Sequence, residues 1–170
     1  MVDREETAFV YTLSSRKRMV QQALRSIATL KQHVEAKKIH VFYTPPYNEK
    51  DEEILEGTGA NIIKKENQTE AFNVSRSLPE SHYGEKINLC SLDQENIVFL
   101  DCDTIIGNNI WEVLEGDFEF KARPGEDVEG WEALFENNNE EYLEWMPNAG
   151  FMIFKNGFHR EIKEKWTGYR

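Results

Sequence analysis

The segment Ile97–Leu100 consists of four consecutive apolar residues, and two carboxylates follow it directly at Asp101 and Asp103. A strand that is apolar on both faces is buried on both faces, which is typical of a central strand in a parallel sheet. Ligands bind at the carboxyl ends of the strands in such sheets. This segment therefore predicts a fold class and also the place of a candidate site.

The rest of the chain alternates between strand and helix patterns. Runs rich in β-branched and aromatic residues predict strands at 8–13, 39–43, 60–63, 97–100, 118–120 and 151–154. Apolar residues at three- and four-residue steps predict helices at 16–34, 49–56, 84–92, 109–114 and 158–166. We expect Ser14 or Ser15 to cap the first helix. The alternation indicates an α/β fold with a mostly parallel central sheet flanked by helices.

Length, charge and cysteine content narrow the class of protein. A chain of 170 residues predicts one domain, and its net charge of −11 excludes nucleic acid as a partner because phosphate backbones repel it. Cys90 and Cys102 have neither disulfide nor zinc spacing, and we interpret them as reduced core residues. The N-terminus lacks a signal-peptide pattern and no run of 18 apolar residues occurs, so we expect a cytoplasmic protein without a transmembrane segment.

The two carboxylates after the apolar segment suggest a metal site. In an extended backbone, residues i and i+2 point the same way, so Asp101 and Asp103 are expected to face one point while Cys102 points inward. Neighbouring carboxylates repel each other unless a cation lies between them, and their hard oxygens suit Mn²⁺ or Mg²⁺. Such a cation also reconciles an acidic chain with a diphosphate ligand. The alternative is a plain turn in which Asp103 or Thr104 caps a helix.

A second alternative is an aspartate-dependent phosphotransferase or phosphatase of the haloacid-dehalogenase type. Those enzymes also place an Asp-x-Asp pair after an apolar strand. Their threonine, however, follows one residue later than Thr104 does here, and their pair lies on the first strand rather than in the middle of the chain. The spacing therefore favours the metal site, and the phosphotransferase stays as the alternative.

Several short motifs follow one another along the chain. They are Ala8-Phe-Val-Tyr-Thr-Leu13, His40-Val-Phe-Tyr43, Gly84-Glu-Lys-Ile-Asn-Leu-Cys-Ser-Leu92, Ile97-Val-Phe-Leu-Asp-Cys-Asp-Thr104 and Pro147-Asn-Ala-Gly-Phe-Met-Ile-Phe154. Their order resembles that of the glycogenin-like glycosyltransferases of family 8, over nearly the whole chain. The resemblance implies a Rossmann-like GT-A fold in a single catalytic domain over residues 1–170.

The activity that this resemblance implies is metal-dependent transfer of a hexosyl group from a nucleoside-diphosphate sugar, with a UDP-sugar favoured. The implied cofactor is Mn²⁺ or Mg²⁺, and the implied acceptor is a carbohydrate or a protein-linked glycan. Whether the reaction retains or inverts the configuration of the sugar stays open. A non-catalytic nucleotide-binding remnant is a further alternative.

The resemblance also implies roles for particular residues. Asp101 and Asp103 match the metal-binding pair, and Lys86 matches a lysine that contacts the donor sugar or its diphosphate. Asn148 is expected to hydrogen-bond the donor sugar, and Gly150 allows a close approach of the backbone. The residues expected to contact the nucleotide are Thr12, Leu13, Ser14, Arg16, Arg76 and, through its backbone, Cys102.

The acidic segment 126–147 and the end of the chain leave two questions open. An inverting reaction needs a carboxylate base, for which Asp127 is the first candidate, beside Glu129 and Glu132. The family's Asp-Gln pair and its C-terminal metal-binding histidine have no match before Arg170, so we expect either a shortened chain or a minimal member with an open metal shell. His159 comes too early to replace that histidine and is expected on a helix surface.

Overall fold

The computed structural model describes residues 3–16, 18–65, 83–124 and 147–168. Its strands are β1 Thr7–Ser14, β2 Ile39–Thr44, β3 Asn61–Lys64, β4 Asn96–Leu100, β5 Phe120–Pro124 and β6 Pro147–Phe154. Its α-helices are α1 Met19–Leu30, α2 Glu49–Glu56 and α3 Phe158–Gly168, and 3₁₀ helices cover Ala36–Lys38, Tyr83–Ser91 and Ile110–Leu114. Within these ranges, no helix is both long enough and apolar enough to cross a bilayer.

The described strands form one six-stranded sheet in the order β3-β2-β1-β4-β6-β5. The strands from β3 to β4 in that order are parallel, β6 is antiparallel to β4, and β5 is antiparallel to β6. The predicted mostly parallel α/β sheet is therefore confirmed, with an antiparallel pair at one side. Because β6 runs opposite to β4, its first residues lie at the same edge as the carboxyl ends of β1 and β4.

Strand β4 lies in the middle of the core, and all five of its residues are buried. Ile97 and Phe99 pack on the face that the 3₁₀ helix Tyr83–Ser91 covers, and Val98 and Leu100 pack on the face that α1 covers. Burial of side chains of this size stabilises the fold by roughly 1.5–3 kcal/mol each. The prediction of a strand buried on both faces is confirmed.

The start of α1 differs from the prediction. Arg18 precedes the first helical residue and no side chain caps the helix, so the expected cap from Ser14 or Ser15 is wrong. Strand β1 continues through Ser14, and the Ser15 hydroxyl hydrogen-bonds with that of Tyr43. Both serines therefore belong to the end of the strand and not to the helix.

Helix α3 is attached to the sheet through a buried histidine. His159 is 0% exposed, and its Nε2–H donates to the carbonyl of Leu92 over 3.0 Å. Its ring also meets the ring of Phe154 edge-on, with 6.5 Å between the ring centroids. The expected surface position of His159 is therefore wrong, because α3 packs this side of the helix against the 3₁₀ helix Tyr83–Ser91.

Candidate functional site

The carboxyl end of β4 and the amino end of β6 meet at one edge of the sheet. Leu100 is in register with Phe151, and one step further the backbone N–H of Asp101 donates to the carbonyl of Gly150 over 2.8 Å. This hydrogen bond continues the pairing beyond the last residue of β4. It fixes Asp101 beside the Asn148–Gly150 segment.

Lys86 connects the 3₁₀ helix Tyr83–Ser91 to the same edge of the sheet. Its Nζ donates to Oδ1 of Asp101 over 2.9 Å and to the carbonyl of Ala149 over 2.7 Å, and it lies 5.0 Å from the centroid of the Phe99 ring. The Lys86 side chain is 10% exposed, whereas that of Asp101 is 42% exposed. The buried ammonium is thus paired, and a carboxylate that it partly neutralises stays open to solvent.

Gly150 allows these groups to approach the backbone of β6. A Cβ at this position would lie 2.9 Å from Oδ1 of Asn148 and 2.9 Å from Oδ2 of Asp101. The Asn148 Oδ1 also accepts the N–H of Gly150 over 2.8 Å, which fixes the direction of the amide. The absence of a side chain at Gly150 therefore lets the Asn148 amide and the Asp101 carboxylate lie close to the backbone of β6.

An irregularity in the β5–β6 pairing accompanies this segment. Ala122 pairs with Met152, but the next residue, Arg123, pairs with Asn148. Residues 149–151 are left without a partner on β5, so β6 bulges at the place where the Ala149 carbonyl meets Lys86. Bulges of this kind often lie beside active sites, because they re-aim the side chains next to them.

The two aspartates lie on a turn and not on an extended segment. The N–H of Thr104 donates to the carbonyl of Asp101 over 3.0 Å, so the alternation assumed for Asp101 and Asp103 does not apply. Asp103 is exposed and has no hydrogen bond or ion pair with the residues that the structure describes. The turn also caps no helix, because the next helix begins at Ile110 with Asn109 as its cap.

Cys102 points inward between the two aspartates, as predicted. The residue is 7% exposed, and its thiol donates to the carbonyl of Thr12 over 3.5 Å. Burial, and after it the negative charges of Asp101 and Asp103, raise the pKa of the Cys102 thiol to about 12. The thiol is therefore protonated at neutral pH and holds the turn against β1.

The carboxyl end of β1 contains a polar atom that lacks a partner. The Thr12 hydroxyl is buried without a hydrogen bond to the described part of the chain, although Thr12 is the one residue of β1 that is partly exposed. Such an atom is satisfied when a ligand binds beside it. Leu13 and Ser14 are buried as whole residues, so their nucleotide contacts stay predictions, and Arg16 follows half-buried.

The described residues offer two carboxylates, those of Asp101 and Asp103, as candidate ligands for a cation. Among them, no group of three or more His, Cys, Asp or Glu residues is arranged to hold a metal ion. The exposed Asp103 carboxylate has no partner among the described residues, and the Asp101 side chain is 42% exposed. Mg²⁺ in proteins is commonly held by one or two carboxylates, with substrate phosphates and water completing the shell.

Some predicted residues lie outside the described ranges, and other site groups were not predicted. Arg76 and Asp127 belong to the first set, and their roles stay predictions. The Ala149 carbonyl and Arg123 belong to the second set. Arg123 does lie shortly after the predicted strand 118–120, but nothing in that segment of the sequence indicates that the strand pairs with β6.

Solved structures resemble this fold, whereas no family model and no curated protein sequence matches the chain. The galactosyltransferase LgtC, in complex with donor and acceptor sugar analogues, has a TM-score of 0.66 and 15% identity over 95% of this chain. Glucosyl-3-phosphoglycerate synthase from Mycobacterium tuberculosis, with Mn²⁺, UDP and phosphoglyceric acid, has a TM-score of 0.51 and 16% identity over 88% of this chain. The mannosyltransferase PcManGT from Pyrobaculum calidifontis, with GDP-Man and Mn²⁺, has a TM-score of 0.51 and 9% identity over 95%.

These neighbours define the class of fold as the GT-A fold of nucleotide-diphospho-sugar transferases, which confirms the predicted fold class. At such identities the likeness shows the fold alone, and the narrower resemblance to the glycogenin-like family stays a prediction. The chain spans 65% of the length of the galactosyltransferase, and 55% and 46% of the other two proteins. The comparison gives the phosphotransferase alternative no support.

Proposed function

We propose that this protein transfers a sugar from a nucleoside-diphosphate sugar, most readily a UDP-sugar, with the help of a divalent cation at Asp101 and Asp103. The observation that carries the proposal is the convergence of Lys86, Asp101 and Gly150 from three elements at the ligand-binding edge of a GT-A fold. Solved neighbours of this fold contain UDP or GDP-Man with Mn²⁺. The donor, its sugar and the acceptor remain part of the proposal.

The two aspartates and Lys86 act on the leaving group. A bound Mn²⁺ or Mg²⁺ supplies electrostatic stabilisation of the negative charge on the departing diphosphate. The Lys86 ammonium contacts Asp101, and the Lys86 side chain is 10% exposed. The ammonium is therefore held in place before the charge on the diphosphate develops. Asp101 and Asp103 would hold the cation, and the Lys86 ammonium would bind a phosphate oxygen of the donor.

The remaining residues hold the donor. We assign the sugar to Asn148 and to the backbone at Gly150, whose lack of a side chain lets the Asn148 and Asp101 oxygens lie against β6. We assign the nucleotide to Thr12, whose hydroxyl lacks a partner among the described residues, and to the Cys102 backbone, beside the predicted contacts Leu13 and Ser14. Arg16 and Arg76 complete this set of nucleotide contacts.

In the reaction, the bond between the sugar carbon and the diphosphate oxygen breaks, and the acceptor hydroxyl oxygen forms the new bond. The hydroxyl proton passes to a base and the electron pair leaves with the diphosphate. In an inverting reaction we assign that base to Asp127. A retaining reaction delivers the sugar without such a carboxylate, so the two outcomes differ in their dependence on Asp127.

Release of UDP from a panel of UDP-sugars tests this function. With Mn²⁺ present we expect release from at least one UDP-sugar, either to water or to a sugar acceptor, and we expect Asp103→Ala to abolish it. If UDP binds but no UDP-sugar is consumed, the chain is a nucleotide-binding remnant. If UDP, GDP and their sugars all fail to raise the melting temperature with Mn²⁺, the proposed function is wrong.

A further inference from the structure

Arg123 lies at the same edge of the sheet as the proposed donor site but one strand further out. It is in register with Asn148, on the strand that ends the described sheet on this side. Its side chain is exposed, and it directly follows the irregularity between Ala122 and Arg123. An exposed basic residue thus lies on the strand next to Asn148, the residue assigned to the donor sugar.

The order of strands predicts which part of the bound substrates lies next to Arg123. Along the edge, β1 carries the nucleotide contacts, β4 the aspartates, β6 the sugar contacts and β5 Arg123. Neighbouring strands are about 4.8 Å apart, so β5 lies roughly 10 Å beyond the strand that leads to the aspartates. The group that follows the sugar in this direction is the acceptor and not the diphosphate.

The chemistry of arginine then indicates the kind of acceptor. Its planar guanidinium binds carboxylates and phosphates through two parallel hydrogen bonds. The chain has a net charge of −11, and Asp101 and Asp103 lie at the same edge, so an anionic acceptor would be repelled without a local cation. We propose that Arg123 binds an oxyanion group, a phosphate or a carboxylate, on the acceptor, an inference that rests on the proposed function.

Binding of matched sugars to the Arg123→Gln variant tests this inference. The probes are glucose 6-phosphate, glucuronate and uncharged glucose, titrated by calorimetry into the protein with and without UDP and Mn²⁺. We expect at least one anionic sugar to bind the wild type more tightly than glucose does, and Arg123→Gln to weaken it about tenfold, as the loss of a charged hydrogen bond predicts. A preference for glucose 6-phosphate identifies a phosphate, and one for glucuronate a carboxylate.

Lys121→Gln is the matched control. Lys121 is an exposed cation two residues earlier on the same strand, in register with Ile153 and away from the edge, so its removal changes the net charge equally. We expect this variant to bind the anionic sugar as the wild type does. Equal losses in both variants, or no preference for either anion over glucose, would overturn the inference.

The UDP affinity separates this inference from the proposed function. If Arg123→Gln weakens UDP binding instead, Arg123 belongs to the donor site and the acceptor assignment is wrong. If UDP binds with Mn²⁺ and neither anionic sugar does, the proposed function stands and the inference fails. If an anionic sugar binds through Arg123 while UDP does not, the oxyanion site stands and the transferase proposal fails.

Discussion

Gly150 is the residue at which the site depends most on the absence of a side chain. Oδ1 of Asn148 and Oδ2 of Asp101 both lie where its Cβ would be. Both atoms are at the ends of side chains that can rotate away at a small energetic cost, so the fold tolerates a substitution here. The proposed site, in contrast, requires both oxygens to stay where they are. A substitution here is therefore expected to separate stability from ligand binding.

We predict that Gly150→Ala retains the fold but weakens binding of UDP with Mn²⁺. The added methyl displaces the Asp101 carboxylate, so we expect at least about a tenfold loss of affinity and less than about 2 kcal/mol of stability. Calorimetric titration with UDP and urea unfolding measure the two effects. Gly107→Ala is the control, because a Cβ there has no atom within 4 Å. Unchanged UDP affinity in Gly150→Ala would contradict the assignment.

Single residues were predictable from the sequence where their surroundings are local. Asp101 follows a strand whose four apolar residues already indicate burial, whereas Cys102 is buried as predicted although it lies on a turn and not on an extended segment. Partners of Lys86 and Arg123 were not predictable. Lys86 contacts Ala149 across 63 positions in the chain, and the pairing of Arg123 with Asn148 requires knowledge of strand order.

At the scale of elements, local sequence patterns predicted which helices and strands exist better than they predicted the direction in which each strand runs. Helix α2 begins and ends as predicted, because Asn48 caps it through hydrogen bonds from Lys50 and Asp51 and Gly57 follows it. The apolar run of β6 predicts a strand, but an apolar run is the same in either direction, so its antiparallel pairing with β4 was not predictable. That direction is nevertheless what brings Gly150 to Asp101.

The attachment of α3 by His159 predicts a dependence of stability on pH. Nε2 donates to Leu92, so Nδ1 is the unprotonated nitrogen, and it is buried without a partner in the described structure. Burial lowers the pKa of His159 below 6.5, as the nearby Arg160 also does, while the Leu92 carbonyl and Glu95 oppose that shift. The neutral form is thus favoured by folding. Its stabilisation is present above about pH 6.5 and is lost as the pH falls through the folded-state pKa.

We predict that the free energy of unfolding falls between pH 7 and pH 5, with a shallower slope in His159→Gln. The glutamine amide retains a donor for the Leu92 carbonyl but has no proton to gain, and each proton taken up on unfolding contributes at most about 1.4 kcal/mol per pH unit. Urea unfolding at several pH values measures the slope. Part of the slope will remain, because burial also lowers the pKa of His40. Identical slopes in both proteins would show that His159 does not titrate on unfolding.

At the scale of the whole molecule, the net charge affects how the proposed phosphate-bearing donor would be held. The chain has 31 acidic and 20 basic residues, so a diphosphate approaches a negative protein. Within the described edge, Lys86 lies on Asp101, and Asp103 has no cationic partner. Under the proposed function, Asp101 and Asp103 would hold a divalent cation, whose positive charge would offset this repulsion. Cation and nucleotide are therefore expected to bind cooperatively.

The most direct measurement of this claim is the affinity of UDP with Mn²⁺ and with EDTA, for the wild type and for Asp103→Asn. Asp117→Asn is the control, since it removes one exposed carboxylate away from this edge. We predict that UDP binds the wild type and Asp117→Asn only with Mn²⁺, and that Asp103→Asn weakens this binding by at least about tenfold. Equal affinity with EDTA, or an Asp103→Asn protein that binds UDP with Mn²⁺ as the wild type does, would contradict the account.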